Sequence, residues 1–161
     1  MPLRRGHDPT MTLDATTTAH ATFEPSAAAR VSHVLLVDRK QRLLLARVAV
    51  RGLPHGGQLT SSVVARVEPG ESYEAAATRG LRALLGRHAP PLRYVDRTWI
   101  DRDGGRTFLD VHVALWDGDV PDTHVAVPVA EVIRAARLDD RRLEGSFLRV
   151  LRCVHGDAAV W

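Results

Sequence analysis

The stretch that decides the fold is Glu68-Pro-Gly-Glu-Ser-Tyr-Glu-Ala-Ala-Ala-Thr-Arg79. Its first four residues predict a turn, and Ser72 is a suitable N-cap for a helix that follows it. Gly86 is a suitable residue for the end of that helix. Apolar residues recur at helical spacing on one face of the segment: Ala77, Leu81, Leu84 and Leu85. The stretch therefore predicts a turn that leads into an amphipathic helix.

This segment resembles the Nudix box, G-x5-E-x7-R-E-U-x-E-E-x-G-U, in which U is a bulky apolar residue. Four positions match: Glu71, Arg79, Leu81 and Gly86. In that family the helix glutamates hold Mg²⁺ against a diphosphate. The corresponding positions here are Gly80, Ala83 and Leu84, and the first glycine of the box is Ala65. The resemblance implies the family's fold but argues against metal-dependent hydrolysis, so we expect no metal and no other cofactor.

A closer resemblance, over roughly residues 30 to 150, is to type I isopentenyl-diphosphate isomerase. Gly57-Gln-Leu-Thr-Ser-Ser-Val-Val-Ala-Arg66, continued by Gly70-Glu-Ser72, is similar to that family's G-x-W-T-N-S-V-C-G-H and G-E-S. The family's functional residues do not carry over. Its cysteine falls on Val64, the metal-binding histidine after it on Arg66, and its helix glutamate on Leu84. The resemblance implies this fold without this family's chemistry.

The rest of the chain predicts an α/β fold, a Nudix-like mixed β-sheet sandwiched by helices, with the element order β-β-β-α-β-β-β-α-α. The predicted strands cover residues 31–37, 43–50, 59–67, 92–101, 107–116 and 124–127, and the later helices cover 128–138 and 140–154. Asp103-Gly-Gly105 is a strong hairpin signal. Residues 1–28 predict a flexible N-terminal arm, and 29–161 predict one folded domain.

Composition narrows the classes of partner. The chain has 161 residues, 45% of them hydrophobic, which suits one domain, and its apolar runs are too short to span a bilayer. No apolar segment follows Arg4 and Arg5, so we expect a cytoplasmic protein without a membrane partner. The net charge is +3, but the arginines are scattered among acids, so we expect no nucleic-acid partner. Cys153 is the only cysteine, which excludes an intrachain disulfide.

Asp110 and His112 are the best acid/base candidates. The isomerase family carries an E-x-E pair on this strand, replaced here by Asp110 and His112 in an ungapped register, or by Phe108 and Asp110 in a shifted one. A carboxylate in an apolar pocket can donate a proton near neutrality, and an adjacent histidine can tune or shuttle it. The alternatives are two solvated groups on an exposed sheet face, or two ligands of a metal site that lacks an obvious third.

Other residues are expected to bind a substrate in the same pocket: His33, His55, Thr60, Ser62, Val64, Arg66, Phe108 and Phe147. Each has a plain structural alternative, because histidines, strand hydroxyls and aromatics are often satisfied within a core. Glu71 and Arg79 are expected to link the loop to the helix.

Three functions fit the sequence. The first is a metal-independent isomerase or cyclase that acts on a hydrophobic small molecule, such as a terpenoid or polyketide, with Asp110 and His112 as its catalytic groups. The second is a non-catalytic Nudix-like binding or regulatory module. The third is a divergent hydrolase of a nucleotide or isoprenoid diphosphate.

Overall fold

Seven strands and three α-helices follow one another along the residues that the structure, a computed structural model, describes: 28–48, 57–102 and 104–155. The strands are β1 (Ala29–Val37), β2 (Arg42–Arg47), β3 (Leu59–Thr60), β4 (Val63–Arg66), β5 (Arg93–Arg102), β6 (Gly105–Leu115) and β7 (His124–Pro128). The helices are α1 (Tyr73–Leu85), which a 3-10 turn (Gly86–His88) extends, α2 (Val129–Arg137) and α3 (Gly145–His155). None of these helices is both long and apolar enough to cross a membrane. The predicted mixed α/β class is confirmed.

All seven strands join one mixed sheet, whose main path runs β3-β2-β1-β6-β5. β1 and β6 are parallel neighbours in its middle, and the other pairs are antiparallel. The predicted hairpin of β5 and β6 is present, with Arg102 opposite Gly105. β4 pairs with the first half of β1, and β2 pairs with its last two residues. One edge of β1 therefore has two successive neighbours.

The prediction of a single strand over residues 59–67 is wrong, because Ser61 and Ser62 separate β3 from β4. The Ser62 hydroxyl accepts a hydrogen bond from the Leu36 amide at 2.8 Å and donates one to the Leu44 carbonyl at 2.5 Å. It thereby satisfies buried backbone groups where β1 and β2 part. The chain uses this point to pass from the edge of β2 to the edge of β1.

The prediction that the last helix begins near residue 140 is also wrong, because α3 begins at Gly145. The preceding residues are held against β3 instead. The Leu59 amide donates to the Arg142 carbonyl at 2.7 Å, and the Glu144 amide donates to the Leu59 carbonyl at 2.8 Å. Backbone groups that pair with a strand are not available for a helix, so α3 is shorter than its sequence pattern predicts.

Two hydrophobic cores cover the two faces of the sheet. The first lies under α2 and α3 and contains Leu35, Leu109, Val111, Phe147 and Val150. The second lies under α1 and contains Val34, Leu36, Ala77, Leu81 and Ala114. We call these the α3 face and the α1 face. Because side chains alternate along a strand, Asp110 and His112 lie with Ala114 on the α1 face, opposite Leu109 and Val111.

The local structure of α1 agrees with the sequence. The Ser72 hydroxyl accepts from the Ala75 amide at 3.0 Å and so caps the helix, and Gly86 ends it with φ at 67°. Arg79 donates to both Glu71 carboxylate oxygens at 3.0 Å, and also to the Arg66 carbonyl at 2.7 Å. The predicted link between loop and helix is present, and it also ties α1 to the end of β4.

Candidate functional site

The candidate site is a cavity of about 380 Å³ on the α3 face of the sheet, beside the first turn of α3. Its volume falls within the range of about 300–1,000 Å³ that is usual for small-molecule sites. A cavity between α2 and α3 has only about 160 Å³ and is too small for most such ligands. The 380 Å³ cavity has apolar walls from four strands: Val31, Val64, Ile100 and Leu109. Its principal polar side chains are His33, Arg66, Arg102 and Ser146.

His33 lies on β1, where it is 1% exposed, and it contributes to the lining of this cavity. Its Nδ1 lies 2.8 Å from the hydroxyl oxygen of Ser61, a residue with no exposed surface. Its Nε2 is buried and has no hydrogen-bond partner among the described residues. The pKa of His33 is lowered to about 4, mainly by burial. The charge of Glu144 opposes this shift, and the charge of Arg102 adds to it. The ring is therefore neutral at pH 7.

Arg66 and Arg102 bring positive charge to the cavity from β4 and β5, and both residues are exposed. Arg102 pairs with Glu144, whose carboxylate oxygen lies 3.0 Å from its Nη2. The other Glu144 oxygen accepts from the Phe147 amide at 3.1 Å and from the Ser146 hydroxyl, so Glu144 caps α3. Burial alone would raise the pKa of Glu144, but these hydrogen bonds and the charge of Arg102 have the larger combined effect. The net result is a lowered pKa.

Asp110 lies on the α1 face, on the other side of β6 from the cavity, where it is 4% exposed. Both of its carboxylate oxygens accept from Arg97, at 2.5 Å from Nε and 2.9 Å from Nη2. The Arg97 guanidinium also stacks over the Tyr73 ring, 4.5 Å from its centroid. The alternative of a solvated carboxylate on an exposed face is therefore wrong. An acid/base role for Asp110 stays a prediction, and the structure adds Arg97 as its partner.

His112 lies beside Asp110 and is 3% exposed. Its Nδ1 has no hydrogen-bond partner within the described part of the chain, and its ring meets the edge of Tyr94 at a centroid distance of 5.8 Å. Burial lowers the pKa of His112, against the opposing charges of Asp110 and Glu74. Its predicted role, like that of Asp110, concerns the α1 face rather than the cavity.

The other predicted pocket residues separate into two groups. His33, Val64 and Arg66 are brought together at the cavity. Three others are buried inside the protein and do not line the cavity: Thr60, Ser62 and Phe147. Phe108 is half-buried and lies on the α1 face of β6, the same face as Asp110. His55 lies outside the described residues. Sequence reasoning missed Arg102 and Ser146, because each reaches the cavity from an element distant in sequence.

The residues that replace the Nudix carboxylates do not fit a metal ion. A Cβ atom at Gly80 would lie 2.5 Å from Val63 Cγ1 and 3.2 Å from Ala65 Cβ, so α1 packs too closely on β4 to admit a glutamate. Ala83 is exposed, and Leu84 packs against the second core. No group of three or more His, Cys, Asp or Glu side chains in the described ranges could hold a metal.

The mixed sheet, with α1 on one face and α2 and α3 on the other, is a Nudix-like fold. Solved structures share it, among them a MutT protein from Methanosarcina mazei Go1, with a TM-score of 0.61 and 15% identity over 81% of this chain and 96% of that one. A mutT/nudix family protein from Listeria innocua has a TM-score of 0.60 and 19% identity, with coverages of 81% and 94%. A NUDIX hydrolase from Nitrosomonas europaea has a TM-score of 0.55 and 15% identity, with coverages of 80% and 89%.

No protein-family model and no curated protein matches the chain. The structural likenesses establish the Nudix-like fold and do not single out the isomerase family. The closer resemblance to that family stays a prediction from the sequence.

Proposed function

We propose that this chain is a Nudix-fold module that binds an amphipathic anion: a small molecule with an apolar body and a phosphate or carboxylate group. The observation that carries the proposal is the convergence of Arg66 and Arg102 on a cavity whose other walls are mostly apolar. Apolar pockets with a few placed polar groups are the usual form of small-molecule sites. Arginine suits the anionic end, because its guanidinium matches the geometry of phosphate and carboxylate oxygens.

The pairing of Arg102 with Glu144 is compatible with such a ligand. The Arg102 side chain is 55% exposed and that of Glu144 is 18% exposed, so solvent screens the pair from the Arg102 side and reduces its strength. An arriving anion therefore competes with Glu144 for Arg102 at small cost. Glu144 keeps its own partners, because it also accepts from the first turn of α3.

Binding without turnover is favoured over hydrolysis because the box helix offers no metal ligands and has no space for a glutamate at position 80. A divergent diphosphate hydrolase is the second candidate. Two observations support it. The chain retains the glutamate and arginine of the Nudix box as the Glu71–Arg79 ion pair, and its fold is similar to that of a NUDIX hydrolase from Nitrosomonas europaea. These observations also make hydrolysis a better candidate than the isomerase or cyclase reaction, which depends on Asp110, because Arg97 already engages both Asp110 oxygens.

The proposal is tested by calorimetry with geranyl diphosphate, ADP, inorganic pyrophosphate and decanoate, each with Mg²⁺ and with EDTA. We expect geranyl diphosphate to bind without Mg²⁺, and pyrophosphate to bind far more weakly because it lacks an apolar body. Replacing both Arg66 and Arg102 by glutamine should weaken binding at least about tenfold. Arg82→Gln is the matched control, because it removes one exposed arginine from α1, on the opposite face of the sheet.

Mass spectrometry of the incubated ligands separates the candidate functions. Recovery of the unchanged ligand supports a binding module. Release of phosphate that requires Mg²⁺ would establish the hydrolase instead, and an isomeric product would establish the isomerase or cyclase. The proposal is wrong if no probe binds at millimolar concentration, or if the Arg82 control weakens binding as much as the two cavity arginines.

A further inference from the structure

His33 combines three features that the fold does not explain. It is buried on a central strand, it lines the cavity, and its Nε2 has no hydrogen-bond partner among the described residues. Buried polar atoms in folded proteins are nearly always paired, so an unpaired one calls for an explanation. Because Nδ1 is engaged by Ser61, Nε2 is the ring nitrogen that remains available for a further hydrogen bond.

The hydrogen bond to Ser61 couples the tautomer of the His33 ring to the direction in which the Ser61 hydroxyl donates. Ser61 is fully buried, and its hydroxyl has His33 Nδ1 as its hydrogen-bond partner at 2.8 Å. If the Ser61 hydroxyl donates to Nδ1, its proton is satisfied, and Nε2 carries the ring proton. If Nδ1 donates instead, both the Ser61 proton and the Nε2 lone pair lack a partner. Within the described residues, either arrangement leaves one donor and one acceptor unpaired, but only the first offers a donor, Nε2–H, to an anionic oxygen.

We propose that His33 is a specificity-determining residue whose Nε2–H, held in that tautomer by Ser61, donates a hydrogen bond to an anionic oxygen of the ligand. The inference rests on the proposed function and sharpens it. A buried neutral donor and two exposed arginines together select phosphate or carboxylate oxygens, and they reject ligands that present only donors in the cavity. The lowered pKa of His33 agrees with a neutral ring near pH 7.

Two replacements separate the cavity side of the ring from the Ser61 side. His33→Gln places an amide N–H near the position of Nε2, whereas His33→Asn keeps a polar group toward Ser61 and cannot reach the cavity. With the best-binding probe of the panel, we expect His33→Asn to raise Kd about tenfold, and His33→Gln to stay within about threefold of the parent. Ser61→Ala should raise Kd severalfold, because it releases the tautomer.

A purely structural role predicts a different pattern. In that case both His33 variants lower the melting temperature and leave Kd equal to that of the parent. The tautomer itself is read from nitrogen chemical shifts of ¹⁵N-histidine-labelled full-length protein, without dependence on any variant that fails to fold. We expect a protonated Nε2 in the free protein, and a shift of that signal when the probe is added.

Failure of this inference is distinguishable from failure of the proposed function. If no probe binds the parent protein, the proposed function is wrong. If the probe binds and the arginine variants weaken it, while His33→Asn binds like the parent or Nδ1 carries the proton, only the role of His33 is wrong.

Discussion

Replacing Gly80 by alanine should destabilise this protein, although the same change in a helix interior normally stabilises it by about 1 kcal/mol. Gly80 lies in the middle of α1, and an added Cβ would meet Val63 Cγ1 at 2.5 Å. Val63 is buried and β-branched, so it has little freedom to move away. Overpacking of this kind costs about 1–3 kcal/mol. Subtracting the helix gain, we expect Gly80→Ala to lower the free energy of unfolding by up to about 2 kcal/mol.

A second background tests the cause. In a Val63→Ala protein the clashing methyl group is gone, and the remaining contacts of the new Cβ are 3.2 Å to Ala65 Cβ and 4.0 Å to the Cβ of residue 63. There Gly80→Ala should stabilise, by up to about 1 kcal/mol, so the sign of its effect reverses. Each comparison is made within one background, because Val63→Ala alone removes buried methyl groups and is destabilising.

The assay is denaturant unfolding of the four proteins, followed by circular dichroism. Gly145→Ala is the control, because it lies at the start of α3 and an added Cβ there meets no atom within 4 Å. We expect it to change stability by less than about 0.5 kcal/mol. A Gly80→Ala protein that is more stable than its parent with Val63 in place would refute the close-packing argument. The conclusion that a glutamate has no space at position 80 would then also be wrong.

Three further perturbations have defined outcomes. Arg97→Ala should lower the melting temperature more than Asp110→Asn. Arg97→Ala leaves the buried carboxylate of Asp110 without its partner, whereas Asp110→Asn leaves an arginine whose side chain is 52% exposed and can be solvated. Between pH 4 and 6.5, His33 is protonated in the unfolded chain but not in the folded chain. The free energy of unfolding should therefore fall by about 3 kcal/mol as the pH decreases through this window. In pH-dependent unfolding, His33→Asn should remove this contribution to the slope. Ser62→Ala should cost about 1–3 kcal/mol in denaturant unfolding by leaving the Leu36 amide unpaired, and an unchanged midpoint would contradict this.

The parts of the fold that the sequence predicts well depend on local signals. The helix α1 follows from a capping serine, a run of apolar residues on one face and a terminal glycine, all within fifteen residues. The β5–β6 hairpin follows from one turn motif. The division at Ser61 and Ser62 could not be predicted in this way. The hydroxyl of Ser62 is needed only because β1 and β2 part there, and its partners on those strands, Leu36 and Leu44, lie 26 and 18 residues away in sequence.

The candidate site was harder to predict, for the same reason. Position alternation correctly placed Asp110 and His112 on one face of β6, but it does not say which helix covers that face. The partner of Asp110 nonetheless follows from the register of the β5–β6 hairpin. With Arg102 opposite Gly105, continuing the register places Arg97 opposite Asp110, as the structure shows. The contribution of Arg102 and Glu144 to the cavity is a matter of tertiary packing, and no local pattern encodes it.

The properties of His33 bear on the choice between binding and catalysis. A general base works best when its pKa lies near the working pH, and a pKa of about 4 makes the ring a weak base at pH 7. The same lowering leaves the ring a neutral hydrogen-bond donor throughout the neutral range, which is what recognition of an anionic oxygen requires. Burial therefore weakens His33 as a catalyst and preserves it as a binding group. For a carboxylate probe such as decanoate, affinity that is constant between pH 6 and 8 agrees with recognition by His33, whereas a phosphate probe adds its own titration near pH 6.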